Sequence, residues 1–202
     1  MKNKIILDKN DELIVASHNQ GKVKEINILL QPLGIKTSSI SKYSNKEPVE
    51  DGLTFEENAL IKAQSANNLT GMNSLSDDSG LCIEALNGKP GIYSARWAGP
   101  NKSFDLAMTK IEKLLKDKQN KNAYFVCALA LVTKNKKSFC FTGTVKGKIS
   151  FPPKGTNGFG YDPIFIPDNY RKSFGEMLPS EKDIISHRSD AFKKFKEALI
   201  VR

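Results

Sequence analysis

The stretch Asn73-Ser74-Leu75-Ser76-Asp77-Asp78-Ser79-Gly80 decides how the rest of this chain is read. Two adjacent carboxylates and two hydroxyls crowd into Ser76 to Gly80, at the end of the short run Asn73-Ser74-Leu75, and a glycine closes it. If the chain leaves a strand here, successive side chains point to opposite faces, so Asp77 and Asp78 are split rather than paired. One then faces a site while the other ties down backbone or a neighbouring cation. Taken alone, the stretch reads more plainly as a polar turn after a strand, because Asp, Ser and Gly favour turns through local hydrogen bonding. Three other stretches change that balance.

Before it, Leu13-Ile14-Val15-Ala16 reads as a buried strand, followed by Ser17-His18-Asn19-Gln20-Gly21-Lys22. Val23, Ile26, Leu29 and Leu30 then recur at helical spacing. Strand, polar turn and helix place backbone N–H groups and a positive dipole end at the turn, an anion site to which Lys22 adds a point charge. The plainer reading is a helix capped by Asn19. The spacing is not that of a P-loop. Residues 35–40 predict a second strand, and Thr54 and Glu57 stand at capping-box spacing before a helix that ends near Gly71. Glu50, in the acidic loop before that helix, has no such structural task and is a candidate metal ligand.

After the acidic stretch, a helix is expected over 103–116, with Ser103 as cap and Phe104, Ala107, Met108, Ile111, Leu114 and Leu115 on one face. Residues 123–132 and 138–145 predict a hairpin around Asn135-Lys136. Helices between strands, followed by a long hairpin, indicate a mixed sheet. The third stretch, Gly155 to Pro167, sets three glycines within six residues beside Phe159 and Tyr161, which suits close backbone approach to a ligand; Asp162, before a proline, is expected to be extended. A glycine-rich turn with core aromatics competes with that reading. The fourth is Ser186-His187-Arg188, ahead of a C-terminal helix. Cations are disfavoured at a helix start, so something other than helix stability keeps these two there.

Composition sets the outer bounds. The chain has 202 residues, 39% hydrophobic and 26% charged, enough for one globular domain with a core. No apolar run approaches the ~20 residues needed to cross a bilayer. Ile5-Ile6-Leu7 is too short for a signal-peptide core. The expectation is a cytoplasmic protein with no membrane partner. Cys82, Cys127 and Cys140 form no C-x-x-C pair and are expected to be buried free thiols. The net charge of +9 suits polyanions, nucleic acid or nucleotide alike.

The four stretches Ser17-x-Asn19-x-x-Lys22, Ser76-Asp77-Asp78-Ser79-Gly80-Leu81, Gly158-Phe159-Gly160-Tyr161-Asp162-Pro163 and Ser186-His187-Arg188 occur in one order on one chain. In this the chain resembles the inosine/xanthosine triphosphate pyrophosphatase family, as do Pro90-Gly91-Ile92-Tyr93-Ser94-Ala95-Arg96 and Gly52-Leu53-Thr54-Phe55. The likeness runs from about Leu13 to Leu199. It divides the chain into a lead, 1–12, without functional reading and a single domain, 13–202. It implies an α/β fold: an elongated mixed β-sheet flanked by helices, in two lobes with a substrate cleft between them. It also implies a homodimer and Mg²⁺-dependent hydrolysis of inosine, deoxyinosine and xanthosine triphosphates to the monophosphate and pyrophosphate.

Carried over by the resemblance, Asp78 is the proton acceptor and a metal ligand, and Glu50 is the other metal ligand. Two carboxylates with substrate phosphates and water suit Mg²⁺. Whether Asp78 takes the proton itself or only orders a water is left open by the sequence. Ser17, His18, Asn19, Gln20, Gly21 and Lys22 would hold the triphosphate, with Lys182 as a second phosphate cation. Ser79 would bond the substrate, Phe159 would stack on the base within Phe159-Gly160-Tyr161-Asp162, and Arg188, helped by His187, would read it. Hypoxanthine and xanthine present acceptors at O6 and N7, whereas adenine presents a donor at C6, so an arginine favours the first two. Exclusion of guanine needs a further group that no stretch identifies. The rivals are a pyrophosphatase for other modified nucleotides, an inactive paralogue, and a basic nucleic-acid-binding module. The clustered Glu50, Asp77 and Asp78 argue against the last, because they repel phosphate unless a metal intervenes.

Overall fold

The structure, a computed structural model, describes residues 4–202. Its strands form a six-stranded mixed sheet and a separate two-stranded one, with helices alongside. The chain divides into two compact units. Residues up to Asp78, Ala128–Gly143 and Ala191–Arg202 make the first; Ser79–Cys127 and Thr144–Asp190 make the second.

The first unit begins with β1 (Ile5–Leu7) and β2 (Glu12–Val15). Three consecutive buried residues, Leu13, Ile14 and Val15, mark β2 as covered on both faces, as parallel strands are. It pairs in parallel with β3 (Lys36–Ser39) and with the start of β4 (Asn73–Ile83), Val15 lying opposite Ser39 and Leu75. α1 (Gln20–Leu30) connects β2 to β3 and α2 (Phe55–Thr70) leads into β4. α2 presents Ala59, Ala63 and Ala66 inward, and small residues there let the helix approach Ala128 and Ala130 closely. It stops at Gly71, which takes the left-handed conformation at φ 70°.

The acidic stretch is not a turn. β4 continues without a break through Asp77, Asp78, Ser79 and Gly80 to Ile83, buried almost throughout. Polar side chains survive there because they find partners: Ser76 Oγ donates to the Ala59 carbonyl and Ser74 Oγ to the Met72 carbonyl at 3.1 Å.

The second unit holds α3 (Ser94–Trp97), α4 (Phe104–Leu115), β7 (Phe165–Pro167) and α5 (Pro179–Ile185). Its core gathers Leu81, Ile83, Ala107, Met108, Ile111, Leu115, Phe125, Tyr161, Phe165 and Phe174. Ser103 occupies the α4 cap position as expected, without a capping side-chain bond. The hairpin strands are β5 (Asn122–Val132) and β6 (Ser138–Ile149), closed by bonds between Thr133 and Lys137. With β4 these two strands contribute residues to both units. The strand order of the large sheet is β3-β2-β4-β5-β6-β7.

Two expectations need correction. Asp162 is not extended: it opens a 3₁₀ turn over Asp162–Ile164, because its carboxylate accepts the Phe159 N–H at 2.8 Å and folds the loop back on itself. Nor are all three cysteines buried, since Cys140 lies exposed on β6. The lead, given no role by the sequence, forms β1, which pairs in parallel with β8 (Leu199–Val201) after α6 (His187–Ala198) and buries Ile5 and Leu7. Among the described residues no helix is long and apolar enough to cross a membrane.

Candidate active site

In the first unit, strand alternation sends Asp77 and Asp78 to different lysines. Asp77, 1% exposed, meets Lys22 of α1 at 3.2 Å; Asp78 meets Lys62 of α2 at 3.0 Å. The same Lys62 ammonium lies 2.8 Å from Glu50. Glu50 therefore has a partner the sequence did not reveal. Its loop is anchored on the start of α2: the Gly52 N–H donates to Asn58 Oδ1 at 2.9 Å and the Leu53 N–H to Glu57 at 2.6 Å. Thr54 Oγ1 accepts the Glu57 N–H at 3.1 Å, so the cap half of the expected box forms, while the Glu57 carboxylate reaches Leu53 instead of Thr54.

Burial pushes the Asp78 carboxyl above the usual carboxylate range, against the pull of Lys62 and Lys22 and with Glu50 adding to the rise. For Lys62, burial works against the charge, but Asp78, Asp77 and Glu50 outweigh it and the ammonium is held above its ordinary value. One oxygen of Asp78 is on Lys62; the other, Oδ2, is buried with no hydrogen-bond partner among the described residues. A buried acceptor of that kind asks for a proton or a cation. Two carboxylates already gathered around one cationic group, with an oxygen to spare, fit a hard divalent metal. No group of three or more His, Cys, Asp or Glu that could hold a metal occurs among the described residues, so the protein would share such an ion with a ligand rather than enclose it.

The 17–22 loop lies at the start of α1. Asn19 Oδ1 caps the helix by accepting the Lys22 N–H at 3.2 Å, and Ser17 Oγ accepts the Asn19 N–H at 3.2 Å. Gln20 and Gly21 fall in the first turn, whose N–H groups have no preceding helical carbonyl. His18 turns its ring to Ser44 and Glu47.

The second unit collects the other predicted residues. His187 and Arg188 open α6 and are buried, 5% and 3% exposed, so they are not surface decoration. The His187 ring stacks on Phe125, 4.9 Å between centroids, and an Arg188 Nη2–H donates to Ser79 Oγ at 3.3 Å. Phe159 stands 40% exposed, with the Lys182 ammonium 5.2 Å from its ring centre. Tyr161 is buried and donates its hydroxyl to the Ser94 carbonyl at 2.9 Å, a core role. Gly158 and Gly160 carry φ of 74° and 71°, and a Cβ on Gly158 would lie 2.0 Å from Asp162 Oδ2.

Lys182 is buried, its ammonium on Asp162 at 2.6 Å, where it neutralises a carboxylate that also accepts the Phe159 N–H. Burial pushes the Asp162 carboxyl up, while Lys182, that N–H and Arg188 pull it down. The pair secures the loop that presents Phe159.

Lys62 is the residue missed from the sequence. Its signal is positional: it follows Ala59 by three residues and precedes Ala66 by four, which sets a lysine on the buried stripe of α2. A cation there needs carboxylates facing it.

This architecture, a mixed sheet with flanking helices and a carboxylate–lysine cluster beside a helix N-terminus, defines an α/β protein. The Ham1 family model matches residues 13–198, and the chain belongs to the Ham1 family. A dITP/XTP pyrophosphatase of Zymomonas mobilis is 49% identical over 191 residues, covering 93% of this chain and 91% of the relative. One of Brucella melitensis is 46% identical, covering 92% of each. The solved Ham1 protein from Coxiella burnetii superposes with a TM-score of 0.85 at 39% identity, over 92% of this chain and 96% of that one. The Staphylococcus aureus Ham1 protein gives 0.84 at 37% identity, with the same coverage.

Proposed function

We propose that this chain hydrolyses inosine, deoxyinosine and xanthosine triphosphates to the monophosphate and pyrophosphate, clearing deaminated purine nucleotides from the precursor pool. The observation that carries the chemistry is Asp78, with one oxygen on Lys62 and the other buried without a hydrogen-bond partner among the described residues. The names of the Zymomonas and Brucella relatives support the substrate class. Such a pool enzyme would work where nucleotides are made, in the cytoplasm.

Water is the nucleophile. Its oxygen bonds the α-phosphorus, the bond from that phosphorus to the bridging oxygen breaks with pyrophosphate leaving, and the water proton passes to Asp78. A carboxylate lifted by burial is a better proton acceptor than an ordinary one. Mg²⁺, held by Glu50 and Asp78 when bound, would neutralise charge on the phosphates. Lys62 keeps the two carboxylates together and adds positive charge beside the reacting centre. The first turn of α1, with the Asn19 amide and Lys22, holds the triphosphate. On the base side, the buried Arg188 guanidinium donates to O6 and N7, Ser79 lies on that guanidinium, and Phe159 gives the ring a flat face. A site of buried donors rejects adenine by ~10⁴-fold or more, since its polar groups are left unmatched. By the resemblance the working form is a homodimer, which light scattering would test.

The experiment is pyrophosphate release with Mg²⁺ from inosine, xanthosine, adenosine and guanosine triphosphates, with Asp78→Asn as control. Release from the first two alone, lost in the variant, is the expected result. Equal turnover of all four would remove the base-recognition argument. No release from any of them would overturn the proposal.

A further inference from the structure

β2 ends at Val15, opposite Leu75, while β4 runs on to Ile83. The edge of β4 that β2 vacates carries backbone groups that need partners. The chain from Lys89 to Ser94 supplies them. The Lys89 carbonyl accepts the Ile83 N–H at 3.3 Å, Pro90 pairs with Cys82, and Ser94 Oγ accepts the Leu81 N–H at 2.9 Å. Ser94 is 6% exposed, and its hydroxyl also donates to the Gly91 carbonyl at 2.7 Å.

The carbonyl of the same residue serves a different element. α3 is a single turn in which the Ala98 N–H bonds the Ala95 carbonyl rather than that of Ser94. The Ser94 carbonyl instead accepts the Tyr161 hydroxyl at 2.9 Å. Tyr161 stands edge-on to Phe104, 5.2 Å between centroids, and lies two residues from Phe159. Leu81 lies two residues from Ser79, on the same face of β4, and Ser79 Oγ is the acceptor of an Arg188 N–H. All of these residues belong to the second unit. We propose that Ser94 is a positioning residue. Its hydroxyl holds the strand that carries Ser79, its carbonyl holds the loop that presents Phe159, and one residue thereby keeps the two in register. That a purine lies against both rests on the function proposed above.

A base read by in-plane donors and stacked on an aromatic face needs both at once, so drift of one against the other weakens the pair. Each arm of Ser94 is a neutral hydrogen bond in a buried setting, and losing one is worth roughly three- to tenfold in an equilibrium. Ser17 to Lys22, which would hold the triphosphate, belong to the first unit. Loosening Ser94 should therefore be felt at the base and not at the phosphates.

The test compares Ser94→Ala and Tyr161→Phe with the parent protein at saturating Mg²⁺. Tyr161→Phe removes the hydroxyl but keeps the ring against Phe104, so it reads the carbonyl arm even if Ser94→Ala fails to fold. Each variant should raise KM for inosine triphosphate roughly three- to tenfold with kcat little changed, and lower the preference over adenosine triphosphate by a similar factor. The calorimetric Kd for inorganic tripolyphosphate should stay at the parent value. A packing role alone would shrink the active fraction and lower kcat, leaving KM and base preference in place. Amide hydrogen exchange reads the connection without turnover: Tyr161→Phe should speed exchange at Leu81, and Ser94→Ala at Phe159, each roughly threefold or more. Unmoved KM and base preference in the presence of turnover, or an equal rise in the tripolyphosphate Kd, overturn the positioning role. Exchange that quickens on the mutated side alone overturns it as well, with or without turnover. Exchange that quickens across Ser94 in a parent that turns over no triphosphate supports the connection and overturns the proposed function.

Discussion

Replacing Lys62 by methionine tests what holds the acidic cluster together. The change keeps much of the side-chain volume and removes the ammonium that lies 2.8 Å from Glu50 and 3.0 Å from Asp78. Removing one partner of a buried ion pair costs about 3–5 kcal/mol, because a charge is left buried without compensation. Asp78 pays that penalty nearly in full, its side chain being 9% exposed, whereas Glu50 at 34% turns to solvent and adds little, so the low end of the range applies. In EDTA the variant should therefore lose about 3 kcal/mol, a fall in Tm of roughly 6–12 °C for a chain of this size. A divalent cation should replace the ammonium. At about one hundred times Kd, Mg²⁺ would restore about 2.7 kcal/mol. The parent should gain less, since there the metal must compete with Lys62 for the same carboxylates. Urea unfolding of both proteins, with EDTA and with Mg²⁺, measures all four stabilities, and a Lys62→Met/Asp78→Asn double variant should recover most of the loss without metal. A loss below about 1 kcal/mol in EDTA, or equal stabilisation of parent and variant by Mg²⁺, would refute the reasoning.

Gly158→Ala should cost roughly 2–3 kcal/mol in urea unfolding, and it should raise KM for the triphosphate more than it lowers kcat. Its φ of 74° strains any Cβ, and that Cβ would meet the Asp162 carboxylate that holds the Phe159 loop. Thiol labelling of the native protein at pH 8 should modify Cys140 alone, and all three cysteines after unfolding. Burial pushes the Cys82 thiol up to about 11, so at pH 8 only roughly one part in 10³ is thiolate, and Cys127 is fully buried.

Much of the fold was legible because its signals are local. The α1 cap by Asn19, the α2 start at Thr54 and its stop at Gly71 all rest on residues within a few positions of one another. The hairpin of β5 and β6 followed from composition and a turn. What failed was also local inference, applied where distant residues decide. Ser76-Asp77-Asp78-Ser79-Gly80 has turn composition, yet it forms the middle of β4, because Ala59, Lys22 and Lys62 meet its polar groups from other elements. Asp162 before a proline was expected to be extended, but the Phe159 N–H and Lys182 draw it into a turn. Lys62 stayed invisible for the same reason. A lysine in an alanine-rich helix looks solvated until the strand opposite is known to carry two aspartates.

The distribution of charge also revises how the site attracts its ligand. The net charge of +9 suits a polyanion. In the first unit, however, Glu50, Asp77 and Asp78 face Lys22 and Lys62, so three carboxylates share two ammonium groups. A triphosphate approaching this cluster without a metal is therefore repelled at close range, whatever the distant lysines do, because exposed charges beyond about 8 Å are screened at physiological salt. One divalent cation adds two positive charges to that cluster. Affinity for the triphosphate should therefore depend steeply on the divalent cation and weakly on added monovalent salt. A nucleic-acid-binding surface would show the reverse, since its affinity falls with salt as counterions are released.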